Sequence, residues 1–435
     1  MPPSPPVRFL SRLGSLNGSL QRDFILYFIG GVFLKGLSFF LLPVYTRVFS
    51  PAEYGRLELL QSIGTIVDIV FTFGLAQFFY MEYNHCKNHS EKKDLLDRVL
   101  SLYLIFGSVF FFLFFAFVSH FGIFKEEGIG SSALSLLLVA TFFNFFQNML
   151  ITVFRLRLQV KEVTFFQAMV GAGNLILILV LIWSGFKSIT TVLFANFCIS
   201  ILSFVFGISR YLVTLKTRFR FSISRPQIEK FLFPAMLFIP NLLAFWVINN
   251  INRWIILEYS SQAEVGIYGI ANKFGGLLEP LLVMPFANAY TPRALSALKD
   301  GTFKPVTVLN KFLALAGFVV AGFLLRYISY FFVGEEFQSG LILIPILAAS
   351  SFFYLLCNIT NVHLLHGRKT GLMLVSVLIG GISVVATNFL LVPHYGGLGA
   401  AISALAGNAA WYFSIYFFSI RLHKKSGSFK NSSPS

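Results

Sequence analysis

An all-α, polytopic membrane fold of twelve helices is what this sequence predicts, and three observations predict it. The chain is strongly apolar: 56% of its 435 residues are hydrophobic, only 12% are charged, and the mean hydropathy is +0.76. Soluble domains carry about 25% charged residues, so a soluble fold of this size would not need so apolar a surface. The apolar residues also lie in continuous runs of spanning length, about 20 residues at 1.5 Å rise for a hydrocarbon core of about 30 Å. Such runs select helices over a barrel, whose strands alternate in polarity. Third, basic residues gather in every second connection between the runs.

The elements follow in order. Residues 1–23, MPPSPPVRFLSRLGSLNGSLQRD, read as a basic cytoplasmic arm. The apolar run after them is too long for a signal-peptide core and stays as the first helix. The expected spans are 24–46, 55–81, 97–121, 130–154, 163–184 and 189–213, then 230–252, 264–290, 307–333, 338–361, 370–391 and 396–420. The longest inner connection, 214–229 (TLKTRFRFSISRPQIE), separates a bundle of six helices at 24–213 from a second at 230–422, with a tail at 423–435. That basic linker marks the cytoplasmic side and is also suited to anionic lipid headgroups. With both termini in the cytoplasm, all but eight of the 34 lysines and arginines fall on inner loops, tails and adjoining span ends. A miscounted span would scramble this alternation.

The two halves carry an echo of one another. Residues 49–64 read FSPAEYGRLELLQSIG and residues 260–275 read SSQAEVGIYGIANKFG. Both lead with Ala-Glu-x-Gly into a span, and both place a second glycine nine residues later. An even number of spans per half keeps orientation, so such a repeat is parallel, with its axis along the membrane normal. Pro43, Pro234, Pro240, Pro280, Pro285 and Pro345 fall within spans and mark bends, either static or moving.

The net charge of +16 would suggest nucleic acid in a soluble protein. Here it belongs to the loop asymmetry, and no nucleic-acid partner is expected. Cys86, Cys198 and Cys357 are scattered without metal or disulfide spacing. No hydrolase elbow, phosphate-binding loop, HExxH or CxxC occurs. The expectation is therefore no catalytic residue, no metal site and no cofactor: a transporter rather than an enzyme.

Charge inside the membrane is the sharper signal, because an unpaired cation at the helix centre costs about 2.5–3.5 kcal/mol on insertion scales. Lys35, Arg47, Arg56, Arg253, Lys273 and Arg326 lie in or near spans of both halves, with Glu58, Asp68, Glu82 and Glu279 as acids. Facing one cavity, the cations would attract an anion, arginine by bidentate contact and lysine as a point charge. Internal salt bridging is the rival arrangement. Lys273 and Glu279 are poorly spaced for it along one helix, whereas Asp68 is placed to neutralise Lys35 between helices one and two. Amides at Asn144, Asn148, Asn249 and Asn272 suit either sugar hydroxyls in a wet cavity or cross-links between helices.

Three stretches carry a resemblance: LPVYTRVFSPAEYG at 42–55, NRWIILEYSSQAEVGIYGIANKFGG at 252–276 and PHYGGLGAAISALAGNAAW at 393–411. In their order and position the chain resembles the polysaccharide-biosynthesis transporters of the MOP superfamily, the O-antigen flippase-like branch related to MATE exporters. The resemblance implies two six-helix bundles in a V around a central cavity, in a bacterial inner membrane. It implies carriage of a polyprenyl-diphosphate-linked oligosaccharide from the cytoplasmic to the outer leaflet for cell-surface polysaccharide. It assigns the diphosphate to Arg47, Arg253 and Lys273 by motif position. Lys35 and Arg326 join that set on burial logic alone. Coupling to a proton or sodium gradient would fall to Asp68 or Glu279, though not by motif. Membrane lipids and a glycan polymerase complex are the implied partners. A MATE-like exporter of small organic cations, and a non-transporting scaffold for glycan polymerisation, are the alternatives.

Overall fold

The computed structural model describes residues 39–430 apart from 84, 122–129, 158, 216–218, 225, 227 and 304–305. Lys35, and with it most of the first expected span, lies outside the described residues. All regular structure described is helical. A short helix α1 (Phe39–Val48) leads into α2 (Pro51–Thr72) and α3 (Leu75–Tyr83). Then come α4 (His89–Phe121), α5 (Ser131–Leu156), α6 (Val160–Trp183) and α7 (Ile189–Leu215). After the basic connection a π-helical turn, Ile228–Leu232, and a four-residue helix precede α8 (Ile239–Tyr259) and α9 (Gln262–Gly275). The chain ends with α10 (Met284–Lys299), α11 (Val308–Phe332), α12 (Ile344–His366) and α13 (Thr370–Lys430).

Among the described residues eight helices are long and apolar enough to cross a membrane, and nine if the bent pair α2–α3 counts as one span. The sequence expectation differs from this at identifiable places. The run 264–290 is not one uninterrupted helix. It divides into α9, a π-helical turn at Glu279–Val283 and α10. Pro280 and Pro285 lack the N–H a continuous helix requires, so the chain widens a turn there instead of only bending. The last two expected spans join as α13, but Gly396 (φ 51°, ψ −129°) breaks the helical path within it. Between α2 and α3 the axis turns by 56° at Phe73 and Gly74, both at positive φ. A Cβ at Gly74 would collide with the backbone carbonyl of Ala235, so this bend also fits the close approach of a helix from the other half.

The echo of 49–64 in 260–275 is visible in three dimensions. Ser50 caps α2, accepting from the Glu53 N–H (3.3 Å) while its own N–H donates to Glu53 Oε2 (2.9 Å). Ser261 likewise caps α9 by accepting from the Glu264 N–H (3.2 Å). The two elements then cross with their glycines face to face. A Cβ on Gly55 would enter the backbone carbonyl of Gln262, and one on Gly266 would enter that of Pro51. Pro51 and Gln262 are equivalent in the echo, as are Gly55 and Gly266. The contact is therefore reciprocal, as a pseudo-two-fold pair requires. Glu264 also reaches beyond its own helix, where its Oε1 accepts from the Gly397 N–H (3.0 Å), just past the break in α13. Ser50→Ala, which removes the reciprocal cap of α2, should lower stability by about 1 kcal/mol. The measurement is the unfolding midpoint of the purified protein in detergent.

Further contacts between segments distant in sequence lie beside this crossing. The Gly334 N–H donates to Thr46 Oγ1 (3.1 Å), and the ring of Tyr54 meets Phe337 edge-on at 5.9 Å. A single apolar core runs through this junction, with Leu57, Leu60, Tyr268 and Phe274 all buried.

Candidate functional site

An ion cluster lies beneath the glycine crossing, where α2, α8 and α9 meet. Glu58 comes from α2 and is 1% exposed. Arg253 Nε donates to Glu58 Oε2 at 2.9 Å, and Lys273 Nζ lies 2.6 Å from Glu58 Oε1. Arg253 is itself buried at 8% exposure, whereas the Lys273 side chain keeps 30%. Each cation has further partners, within its own helix for Arg253 and across on α2 for Lys273. Arg253 Nη1 donates to the Asn249 carbonyl (2.8 Å) and to Asn250 Oδ1 (3.4 Å). Lys273 Nζ donates to Gln61 Oε1 (3.3 Å) and stands 5.3 Å from the centre of the Tyr54 ring.

Local sequence makes this arrangement possible. Glu58 and Gln61 are three apart on α2 and share a face, as do Asn249, Asn250 and Arg253 on α8. Gly269 supplies the room: a Cβ there would stand 2.6 Å from Glu58 Cγ. In the echo Glu58 and Gly269 occupy equivalent positions, a long acid in one copy opposite a glycine in the other. Two indoles brace the junction. Trp246 Nε1 donates to the Ser62 carbonyl (3.0 Å) and Trp254 Nε1 to Ser62 Oγ (2.8 Å). Arg56 Nε donates to Gln262 Oε1 at 2.9 Å and ties the helix starts together. One carboxylate against two cations leaves one positive charge unmatched. In a site this dry that excess is felt strongly by any anion reaching Lys273.

The expected site residues do not all converge here. Arg253 and Lys273 are brought together, but by Glu58, which in the sequence is one acid among several and has no place in the expected site. Arg47 is exposed at the end of α1, and Arg326 is exposed on α11 among the exposed rings of Phe323, Tyr327 and Tyr330. Neither joins the cluster. A cation among exposed rings can extend along its aliphatic stem toward water. Lys35 lies outside the described residues, and so does its expected pairing with Asp68. Glu279 accepts from Ser351 Oγ at 3.3 Å, linking the π-helical turn to α12. Of the amides, Asn144 accepts from Ser200 Oγ (2.9 Å) and so cross-links α5 to α7. Asn249 Nδ2 donates to the Phe245 carbonyl of its own helix (2.8 Å). Asn148 is exposed, and Asn272 is of intermediate exposure beside Lys273. No group of three His, Cys, Asp or Glu residues is placed to hold a metal among the described residues.

The family model described as polysaccharide biosynthesis protein matches residues 20–297, more than half of the chain. No curated protein matches it in sequence. Among solved structures it is similar to the lipid II flippase MurJ in its inward closed conformation. That match has TM-score 0.70 and 14% identity, and covers 91% of this chain and 87% of the other. It is similar also to an inward-facing multidrug resistance MATE family transporter of the MOP superfamily, with TM-score 0.68, 13% identity and coverage of 92% and 96%. An outward-facing structure of such a transporter matches at TM-score 0.55 and 15% identity, covering 94% and 97%.

Proposed function

This chain is a polytopic membrane protein of the MOP/MATE superfamily and belongs to the polysaccharide biosynthesis protein family, and from that premise we propose that it is an alternating-access carrier of a lipid-linked oligosaccharide. In this reading two bundles of six helices, 24–213 and 230–422, rock about the linker 214–229 in a bacterial cytoplasmic membrane, with both termini in the cytoplasm. The glycine crossing then lies toward the outer face. A polyprenyl-diphosphate headgroup and its sugars pass through polar space between the bundles while the prenyl chain stays in lipid. The carrier makes no bond. It removes the cost of drawing phosphates and hydroxyls through hydrocarbon. The halves touch at the glycine crossing and again where Gly74 meets Ala235 and Phe78 meets Phe231, which supports a closed state.

The observation that carries the cargo assignment is the unmatched positive charge at Arg253 and Lys273, on the boundary between the halves. Deleting the gene should remove a surface polysaccharide and accumulate its lipid-linked precursor on the cytoplasmic side. Lys273→Gln at equal protein level should restore only part of it. A glycan profile and precursor pool unchanged by deletion would refute the assignment.

A second reading, export of small organic cations, is favoured by the similarity to multidrug transporters and by Arg47 and Arg326 standing outside the cluster. It predicts that deletion alters tolerance to cationic drugs and leaves the surface glycan intact. Asp68 and Glu279 remain the proposed carboxylates for ion coupling in either reading.

A further inference from the structure

Glu58 occupies a place that its own half does not own. It stands on α2, yet its carboxylate is enclosed by Arg253, Lys273 and the gap at Gly269, all from the other half. We propose that Glu58 is an intramolecular stand-in for the cargo's anion: it occupies the Arg253–Lys273 pair while the outer face is closed, and a diphosphate replaces it when the halves separate. The proposal rests on the carrier reading above and adds to it the control of that site.

Three features lead to this exchange. The first is charge. Two cations are held against one carboxylate: the arginine has contacts within its own helix, to Asn249 and Asn250, whereas the lysine's second partner, Gln61, stands beside Glu58 on α2. A diphosphate diester carries a negative charge on each phosphate and would match both cations, where one carboxylate cannot. The second is placement. Arg253 belongs to α8 and Lys273 to α9, so they move together with the second half, while Glu58 travels with the first. Any motion that parts the Gly55–Gly266 crossing withdraws Glu58, and Gln61 with it, and leaves both cations together on the other half, Arg253 still held by Asn249 and Asn250. The third is shape. The gap over Gly269 is filled by the Glu58 side chain in the closed state. Opening leaves that space, bordered by the two cations, free for a ligand. An anion and the closed state thus compete for the same pair, and binding one disfavours the other by linkage.

The test uses the full-length protein with Cys86, Cys198 and Cys357 replaced by alanine and Gln61→Cys as reporter, in intact cells treated with a membrane-impermeant maleimide. Glu58→Gln should raise the labelling rate about tenfold or more, since losing the latch shifts the population toward the open outer face. Glu58→Asp keeps the charge but loses reach, and should raise it by a smaller factor. It also serves if the glutamine variant folds poorly. In a second arm inorganic pyrophosphate is titrated onto the purified protein. Glu58→Gln should bind it about tenfold more tightly than wild type, because the competitor is gone. Arg253→Gln and Lys273→Gln should each abolish that gain. Labelling unchanged in both Glu58 variants, or pyrophosphate binding indifferent to Glu58, overturns the proposal even where deletion still removes surface glycan. Conversely, exchange at Glu58 with an intact glycan profile in the deletion strain would refute the cargo reading alone.

Discussion

Gly266→Leu is expected to yield a protein that cannot bring its two halves together at the crossing of α2 and α9. Even the first added carbon, a Cβ, would fall within the backbone carbonyl of Pro51, and Gly55 faces Gln262 in the same way. Backbone on both sides leaves no flexible side chain to step aside. Overpacking a core commonly costs about 1–3 kcal/mol, and a clash of backbone with a branched side chain lies at or above the upper end. Gly266→Ala and Gly55→Ala should each cost about 2 kcal/mol. Their double variant should cost less than the sum, because a helix displaced once relieves both clashes. The control is Gly317→Ala on α11, where nothing lies within 4 Å of an added Cβ. That change should be neutral, or stabilising by up to about 1 kcal/mol, as for any glycine inside a helix. Unfolding midpoints in detergent measure all of these. Equal effects at Gly266 and Gly317 would show that the crossing is not closed in the protein as purified.

What the sequence made legible here follows from what each signal measures. Hydropathy and the loop charges identified a helical membrane protein, because both report on solvent and neither needs a tertiary contact. The echo of 49–64 in 260–275 was legible as similarity, and the structure gives it meaning as two like elements crossing at their glycines. Glu58 was not legible as a site. It reads as one of several acids near span ends, and its role depends on α2 meeting α8 and α9, which no local pattern encodes. A trace was present: aligned on the echo, Glu58 stands opposite Gly269, and a long polar residue paired with a missing Cβ is what an enclosed insertion requires. Arg326 is exposed on α11 and does not join the cluster. Its helix α11 is apolar all round, so periodicity could not separate a face turned to lipid from one turned to a cavity. The widened turn at Glu279–Val283 was hidden for a similar reason. Two prolines in an apolar run announce a bend, but whether the run stays one helix depends on neighbours able to satisfy the released carbonyls.

Glu58→Leu is expected to be the most damaging single exchange in the cluster, and its rescue shows why. Removing the carboxylate leaves Arg253 and Lys273 facing one another in a site where Arg253 is 8% exposed. Breaking a buried pair from one side typically costs about 3–5 kcal/mol, because the remaining charge has neither water nor partner. Here two cations are stranded instead of one, and Lys273, partly exposed, can relieve only its own share by reaching for water. Adding Arg253→Met and Lys273→Met to Glu58→Leu removes every charge together and keeps the approximate volume. Replacing a whole buried ion cluster by apolar residues is often neutral or stabilising by about 1–4 kcal/mol. The triple variant should therefore recover much of the unfolding midpoint while still failing to move cargo. Stability and transport would then part company, which a purely structural role for the cluster does not allow. Should the triple variant restore glycan export along with stability, the cations would be framework only, and the charge at this junction would have no part in recognising what is carried.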